Sequence, residues 1–528
     1  MSELGEEDYA EEVLEQSTRQ TSDDIFDDLE QGLNLDTEGY DDLLEYATET
    51  LEDYGSTDSA KDIVDLSKDL KQNVTDIIAY KELFQQKLGF LEDFDALITQ
   101  EDREEAEQYI QENQHLKQTS VEADDIASIR ALREGRLYDT IMSMGDEKDW
   151  DNSSIRNSEL FDDINDVADA VITDYFFRGG KGLRSTMGQI MQYGMEETVD
   201  YETVVMGGMV ETFHTSTLVQ DDMMDGDVKR RGRASANVMM EHLFGDQGQD
   251  IPITTGNVME SWVNEMNIHQ ELNIPEESRE AMVRVQDIVN RGQNQDILMG
   301  RDIAELDIDD YKDMSMGKTG FLYGAMLKMS AENAINNESY SEEVREEVND
   351  LLGDYTFHFN LAFQASDDLL EVVGSDMDKS DSDISNRKKT ATAITTDMML
   401  RKHEDLPQVQ GMSAEEYFRF IFSTDSENDP TENIVAAEGS SSIEPEEVED
   451  ENENIFSIQV SERAIDADIR RIMGAFEDVH REQLQRWADE ATEATEELRE
   501  VGEAGEGLNQ VGANLLGKTA EAMNERTK

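Results

Sequence analysis

The chain has 528 residues, 124 of them Asp or Glu against 44 Lys or Arg, a formal charge of −80, 37% hydrophobic residues and no cysteine. That charge excludes generic nucleic-acid binding and docking on an anionic membrane, since both partners are themselves negative, and the missing cysteine excludes disulfides and thiolate chemistry. The apolar content excludes disorder throughout, which leaves a folded protein suited to concentrated salt, where a Debye length of about 3 Å at 1 M screens self-repulsion.

A halophilic archaeal source is the expectation that follows. The N-terminus, MSELGEEDYAEE, lacks the basic and then apolar order of a signal peptide, and no run of 18 apolar residues occurs. A soluble cytoplasmic protein without membrane insertion is expected. With five prolines and little alternation of apolar and polar residues, the expected fold class is all-α.

Residues 1–124 read as an acidic helical N-terminal extension. Leu29, Leu33, Leu43, Leu44, Ile63, Leu66 and Leu70 recur at loosely helical spacing, and Ile77 to Leu91 is its most apolar part. A helical bundle is expected over 125–423. Near its start Leu160, Ile164, Val167, Ala168, Val171 and Ile172 mark an amphipathic helix that ends in RGGKGLRS, 178–185. Glycines there let backbone amides approach a ligand, and Lys181 and Arg184 project cations from a tight turn. Three cations within seven residues, in a chain with so few, point to an anion site.

The next helix carries ETFHTSTLVQDDMMDGDVKRRGR, Glu211 to Arg233. Asp221 and Asp225 share a face one turn apart, with His214 two turns back. Lys229, Arg230, Arg231 and Arg233 follow at once. Carboxylates in that spacing suit a hard divalent cation such as Mg²⁺, and the arginines suit phosphate oxygens. The order of groups suggests a diphosphate site. The motif alone is weak, because six DDxx[D/E] strings begin at Asp23, Asp41, Asp162, Asp221, Asp309 and Asp367. Most are solvated surface, and those at Asp23 and Asp41 have no basic neighbour.

Further on come GQNQDI (292–297), then Tyr311 and the pair Lys318-Thr319. The segment LLGDYTFHFNLAFQASDDLLE has an apolar face of Leu352, Tyr355, Phe359 and Phe363. Its polar face is Thr356, Asn360, Gln364, Asp368 and Glu371. Buried carboxylates demand a cation, so Asp367, Asp368 and Glu371 form the second candidate metal cluster. An acidic low-complexity insertion at 424–455 reads as a disordered loop. Residues 456–528 are C-terminal helices completing the bundle plus a Gly-, Ala- and Glu-rich tail.

RGGKGLRS, HTSTLVQDDMMDGDVKRRG (214–232), GQNQDI, MGKTG (316–320), FQASDDLLE (363–371) and DISNRKKT (383–390) together resemble the trans-isoprenyl (polyprenyl) diphosphate synthase family, the farnesyl and geranylgeranyl diphosphate synthases. The resemblance implies an isoprenoid synthase-type bundle around a central cavity, three Mg²⁺ ions and a homodimer, or a heteromer with another prenyl synthase. It implies condensation of isopentenyl diphosphate with an allylic diphosphate. Asp221, Asp222, Asp225, Asp367, Asp368 and Glu371 would be the metal ligands. Lys181, Arg184, His214 and Arg231 would hold isopentenyl diphosphate, and Arg230 and Lys318 the allylic diphosphate. Lys379 and Lys388 align as further diphosphate ligands, while Thr319 and Gln364 join Lys318 at the reacting centre.

Some positions depart from the family pattern. Glu371 stands where the family has aspartate, Ser185 where it has proline, Arg387 where it has glycine, and the loop around Lys379 is short. These keep a second reading open, a catalytically impaired regulatory or heteromeric subunit; a class I terpene cyclase is a third. Small Thr217 and Ser216 ahead of Asp221, with Phe213 a turn deeper, imply a product longer than farnesyl, with geranylgeranyl diphosphate favoured.

Overall fold

The computed structural model describes residues 37–57, 59–85, 97–144, 164–269, 272–299, 303–337, 340–373, 384, 387–402, 406–422, 465–501 and 507–526. The motifs at Asp23 and Asp162, the insertion 424–455 and Lys379 lie outside them. Helices account for nearly all regular structure. In chain order they are α1 (Asp41–Tyr54), α2 (Ala60–Leu70), α3 (Gln100–Glu112), α4 (Ala123–Glu134), α5 (Arg136–Met144), α6 (Ile164–Phe177), α7 (Leu183–Glu196) and α8 (Tyr201–Asp225). A two-stranded hairpin, β1 (Lys229–Arg230) and β2 (Arg233–Ala234), follows. Then come α9 (Ala236–Phe244), α10 (Ile251–Ile268), α11 (Glu276–Leu298), α12 (Ile308–Ser315), α13 (Phe321–Asn337) and α14 (Glu342–Val373). The last are α15 (Ala391–Leu400), α16 (Ala414–Ile421), α17 (465–474), α18 (Glu477–Glu500) and α19 (Gln510–Glu525).

One apolar core runs through the bundle. The 32-residue α14 buries Val348, Leu352, Tyr355, Phe359 and Leu369 along one stripe and packs along α18, which answers with Leu484, Trp487, Ala491 and Leu498. In turn α18 packs on α19, and α8 lies between α7 and α10. Helix starts follow local chemistry: Thr99 with Asp102 opens α3, Asp307 with Asp310 opens α12, and Ser413 with Glu416 opens α16, each as a reciprocal capping box.

The expected N-terminal extension is part of this core where it is described. Leu43, Leu51, Ile63, Leu66, Leu70 and Phe84 are all at most 1% exposed and continuous with the rest of the core. Helix α2 continues past Leu70 without a break, through a π-turn at Lys71–Thr75, an α-turn at Asp76–Ala79 and a second π-turn at Tyr80–Phe84. This segment packs on α8, and α2 itself on α7 and α19. The tail behaves likewise. Leu515 and Leu516 in α19 are fully buried, and the Tyr355 hydroxyl donates to the Leu516 carbonyl at 3.0 Å.

The basic knot after α8 is the hairpin. Lys229 pairs with Ala234 and Arg230 with Arg233. Arg231 and Gly232 turn the chain with φ of +52° and +81°, the positive pair that a two-residue hairpin turn requires. A non-glycine residue in that region stores about 1 kcal/mol or more.

Candidate active site

A cavity of about 370 Å³ opens between α8, α11, α12, α13 and α14. From α8 come His214, Thr217, Leu218 and Asp221; from α11, Val289, Gln293 and Asp296; from the α12–α13 junction, Tyr311, Met314, Lys318 and Thr319. Helix α14 contributes Phe363, Gln364, Asp367 and Asp368, and Arg184, Arg230 and Lys388 complete the wall. Both acidic motifs with distinctive company thus border one space. The strings at Asp41 and Asp309 start helices α1 and α12, with Asp41 and Asp309 at the surface.

Lys318 is delivered by a π-turn, Met316–Gly320, an irregularity that recurs at functional sites. It seats against α11 because residue 292 is glycine: a Cβ there would lie 2.2 Å from the Lys318 amide nitrogen. The Lys318 ammonium donates to Asp221 Oδ1 at 3.0 Å and to Asp296 Oδ2 at 2.6 Å. Gln293 Nε2 also donates to Asp221 Oδ1, at 2.7 Å. Burial pushes the Asp221 carboxyl up, but Lys318, Lys388 and Gln293 outweigh it and hold it below the ordinary carboxylate value. Lys318 answers in kind: burial would lower it, and Asp221 and Asp296 carry it above its ordinary value. Across the mouth, Lys388 Nζ pairs with Asp225 Oδ2 at 2.7 Å. Arg526, just past α19, pairs with Asp367 Oδ1 at 2.6 Å and stands over Phe363.

Within each motif the neighbouring aspartates divide their labour. Asp221 and Asp367 face the cavity. Asp222, expected as a metal ligand, is 0% exposed, with Oδ2 accepting from the Tyr175 hydroxyl at 2.9 Å and Oδ1 from Arg230 Nε at 2.7 Å. Tyr175 in turn accepts from the Ala236 amide, which fixes the start of α9. Asp368 lines the cavity too but shares the bracing: its Oδ2 accepts from the Tyr311 hydroxyl at 3.2 Å and from the Ala391 amide at 2.9 Å, at the start of α15. Each second aspartate is a brace tying its motif to a tyrosine and a helix start. Glu371 is not on the main cavity. It borders a small recess with Asp368, Ile384 and Lys388, and its Oε2 accepts from the Ile384 amide at 3.4 Å.

Arg230 lines the cavity as expected, but held by Asp222 and Asp227. Burial would lower the guanidinium, and these two carboxylates hold it above its ordinary value. Asp227 is itself raised to about 6, chiefly by burial. A second group of cations gathers at the glycine loop. Arg184 is 8% exposed, stands over the Tyr323 ring at 4.3 Å, and leaves its Nε without a partner among the described residues. Arg231 lies against Gly180, and Lys181 is held below its ordinary value by burial and then by Arg526. Among them sits His214, pushed well below the ordinary histidine range by burial and then by Arg184, Arg231, Lys71 and Arg230. It is a neutral imidazole at neutral pH.

As to metals, among the described residues no three acidic or imidazole side chains converge on one point. The donor set nevertheless fits a hard cation, because Asp221, Asp225 and Asp367 offer carboxylate oxygens that are each paired with a lysine or arginine side chain. For the depth of the cavity, Thr217 is on the wall as expected. Ser216 is fully buried, bonded to the Phe213 carbonyl, and neither Ser216 nor Phe213 is on the wall. At 100° per residue, position 213 has rotated some way off the face that carries 217 and 221. Leu218, Val289, Met314, Leu322 and Phe363 supply the apolar wall instead.

Residues 165–414 match the polyprenyl synthetase family. That segment, just under half of the chain, belongs to the family. It is a prenyltransferase, and two relatives indicate the range around it. A geranylgeranyl diphosphate synthase of Sulfolobus acidocaldarius is 26% identical over 268 residues, 47% of this chain and 75% of that one. A geranylfarnesyl diphosphate synthase of Aeropyrum pernix is 28% identical over 204 residues, 37% of this chain and 58% of that one. Among solved structures, a geranylgeranyl pyrophosphate synthase aligns with 76% of this chain and 99% of its own at 18% identity and a TM-score of 0.49. Two cations described above, Arg526 paired with the cavity's Asp367 and Lys71 acting on His214, fall outside the matched span. Sequence reading missed both, since a lone arginine or lysine far from any motif carries no local signal. Gln293 and Asp296 were within reach, as part of GQNQDI on the face that meets Lys318.

Proposed function

We propose that the chain condenses isopentenyl diphosphate with an allylic diphosphate, lengthening it by five carbons. The observation that carries this reading is Asp221 and Asp367 bordering one cavity whose wall also carries the cations Arg184, Arg230, Lys318, Lys388 and Lys389. In that reading Lys318, Arg230 and Lys388 hold the allylic diphosphate, and Lys181, Arg184, His214 and Arg231 the isopentenyl one. Asp221, Asp225 and Asp367 hold Mg²⁺, with Asp368 beside them on the wall. Bound Mg²⁺ supplies Lewis-acid neutralisation of the departing diphosphate. The chain's own part is to orient both diphosphates, to place Thr319 and Gln364 beside the reacting carbons, and to keep water from the carbocation with Phe363, Leu322 and Leu218.

Geranylgeranyl diphosphate is the favoured product, because the only α8 side chains on the wall ahead of Asp221 are Gln220, Leu218, Thr217 and His214, none of them aromatic in the blocking position. A homodimer suits the apolar side chains left exposed on neighbouring α10 and α11, among them Ile268, Val283, Ile297 and Leu298. The deciding experiment is incorporation of radiolabelled isopentenyl diphosphate by the purified chain in molar KCl with Mg²⁺, followed by chain-length analysis. A twenty-carbon product supports the reading and a fifteen-carbon product overturns the length assignment. Activity that appears only with a second synthase present makes this chain a subunit of a heteromer.

A further inference from the structure

Lys71 lies on the first π-turn after α2 and is 4% exposed. Its ammonium stands 5.5 Å from the centre of the Phe176 ring. Among the described residues it has no hydrogen-bonded or ion-paired acid. Burying a charge without a counter-charge is costly, and in a chain with 124 acidic residues a counter-charge is easy to supply. The glycine loop is shaped around this lysine. An ideal Cβ on Gly182 would lie 2.7 Å from Lys71 Cδ, and one on Gly180 2.6 Å from Arg231 Nη2. Cations from two distant elements therefore clasp the loop at Gly180 and Gly182.

Arg184 provides the independent sign of a missing ligand, being more than nine-tenths buried with its Nε unpartnered. The cations whose charge acts on His214 are Arg184, Arg231, Lys71 and Arg230. Arg230 is already neutralised by Asp222. Glu211, 5% exposed and bonded to the Ser185 amide at 3.4 Å, is the acid that acts on Arg231. Three cations against one carboxylate leave an excess that a dianionic group would balance.

We propose that Lys71 is a ligand for the diphosphate of the homoallylic substrate, so that the segment 60–84 supplies one wall of that anion site. The inference rests on the prenyl-transfer reading for the identity of the substrate, and on the geometry alone for the anion. It assigns the N-terminal helices a part in substrate binding.

The test compares the full chain with Lys71→Met and Lys71→Arg. Methionine keeps the flexible apolar stem against Gly182 and Phe176 while removing the charge. Thermal unfolding is followed without ligand, with inorganic pyrophosphate, and with isopentenyl diphosphate, and steady-state constants are measured for both substrates. Without ligand, Lys71→Met should unfold at the same temperature or higher, because an unpaired buried charge has gone. It should lose most of the stabilisation given by pyrophosphate and by isopentenyl diphosphate. Its KM for isopentenyl diphosphate should rise about tenfold to a hundredfold, the worth of one charge-assisted hydrogen bond, with kcat and the allylic KM within about twofold. Lys71→Arg should restore ligand stabilisation.

A Lys71→Met chain that unfolds earlier, or fails to fold, and yet keeps its ligand response or has none to measure, makes Lys71 a structural residue and overturns the proposal. Unchanged KM in an active enzyme overturns it too, and leaves prenyl transfer standing. Loss of the pyrophosphate response in a chain whose wild type transfers no prenyl group does the reverse: the anion site stands and the substrate assignment falls.

Discussion

Asp221 and Asp222 are adjacent, chemically identical, and differ in everything that packing decides. Asp221 faces the cavity and is held by Lys318 and Gln293, while Asp222 is fully buried between Tyr175 and Arg230. Asp221→Asn should therefore reduce kcat/KM at least about a hundredfold, on the scale of removing one preorganised electrostatic group, with little change in unfolding temperature. Asp222→Asn should cost about 2–3 kcal/mol of stability by unpairing Arg230, at the low end for a broken buried pair because 27% of the Arg230 side chain is exposed. Equal thermal losses in the two variants would remove the distinction between cavity aspartate and brace. His214 gives a pH test. Its folded pKa is depressed by burial and by Arg184, Arg231, Lys71 and Arg230, so below about pH 6.5 the unfolded chain takes up a proton that the folded chain refuses. That share of stability is present above the unfolded pKa and falls away as the pH drops through it. His214→Gln should flatten this part of the stability–pH curve, as chemical denaturation at a series of pH values would show. Thr217→Phe should shorten the product, read by chain-length analysis, because position 217 is on the cavity wall and 213 and 216 are not.

Elements far apart in the chain meet at this site for reasons of packing. The helices of 41–84 bury Leu43, Leu51, Ile63 and Phe84 against the bundle, and α19 brings Leu515, Leu516 and then Arg526. A chain ending at Val501 loses several fully buried apolar side chains, each worth about 1.5–3 kcal/mol, together with the partner of Asp367. It should show a collapsed near-ultraviolet circular dichroism signal and no prenyl transfer; a native-like spectrum would show that α19 is dispensable. Helical periodicity made most helices legible in the sequence, and the paired motifs made the cavity's acids and bases legible as candidates. The hairpin at 229–234 was not legible, because two-residue strands carry no periodicity and Arg231 in a left-handed conformation breaks the usual glycine or asparagine rule. The π-turns at Lys71 and Lys318 were equally silent, since a one-residue insertion in a helix is fixed by the close approach of other elements.

At the scale of the whole molecule, a charge of −80 surrounds a local excess of cations. In dilute buffer that field repels an anionic diphosphate and strains the compact state; raising ionic strength from about 0.1 M to about 1 M shortens the Debye length from about 10 Å to about 3 Å. Both the unfolding temperature and kcat/KM should rise over that range, where an enzyme relying on attraction of an anion to a positive surface would lose affinity. Activity that falls steadily with KCl would rule out salt adaptation. Among the described residues no helix is long and apolar enough to cross a membrane.

Local spacing in the sequence settled which side chains share a helix face, and so which chemistries could meet: carboxylates one turn apart, cations at a glycine loop, a diphosphate as the group that suits both. Only the tertiary structure decided which of the neighbouring Asp221 and Asp222 turns inward, that Glu371 accepts from the Ile384 amide, and that Lys71 and Arg526 arrive from outside the recognisable motifs. The physical reason is one of range. A face is fixed by 100° per residue along a single helix, whereas orientation and partnership are fixed by what packs against that helix from hundreds of residues away.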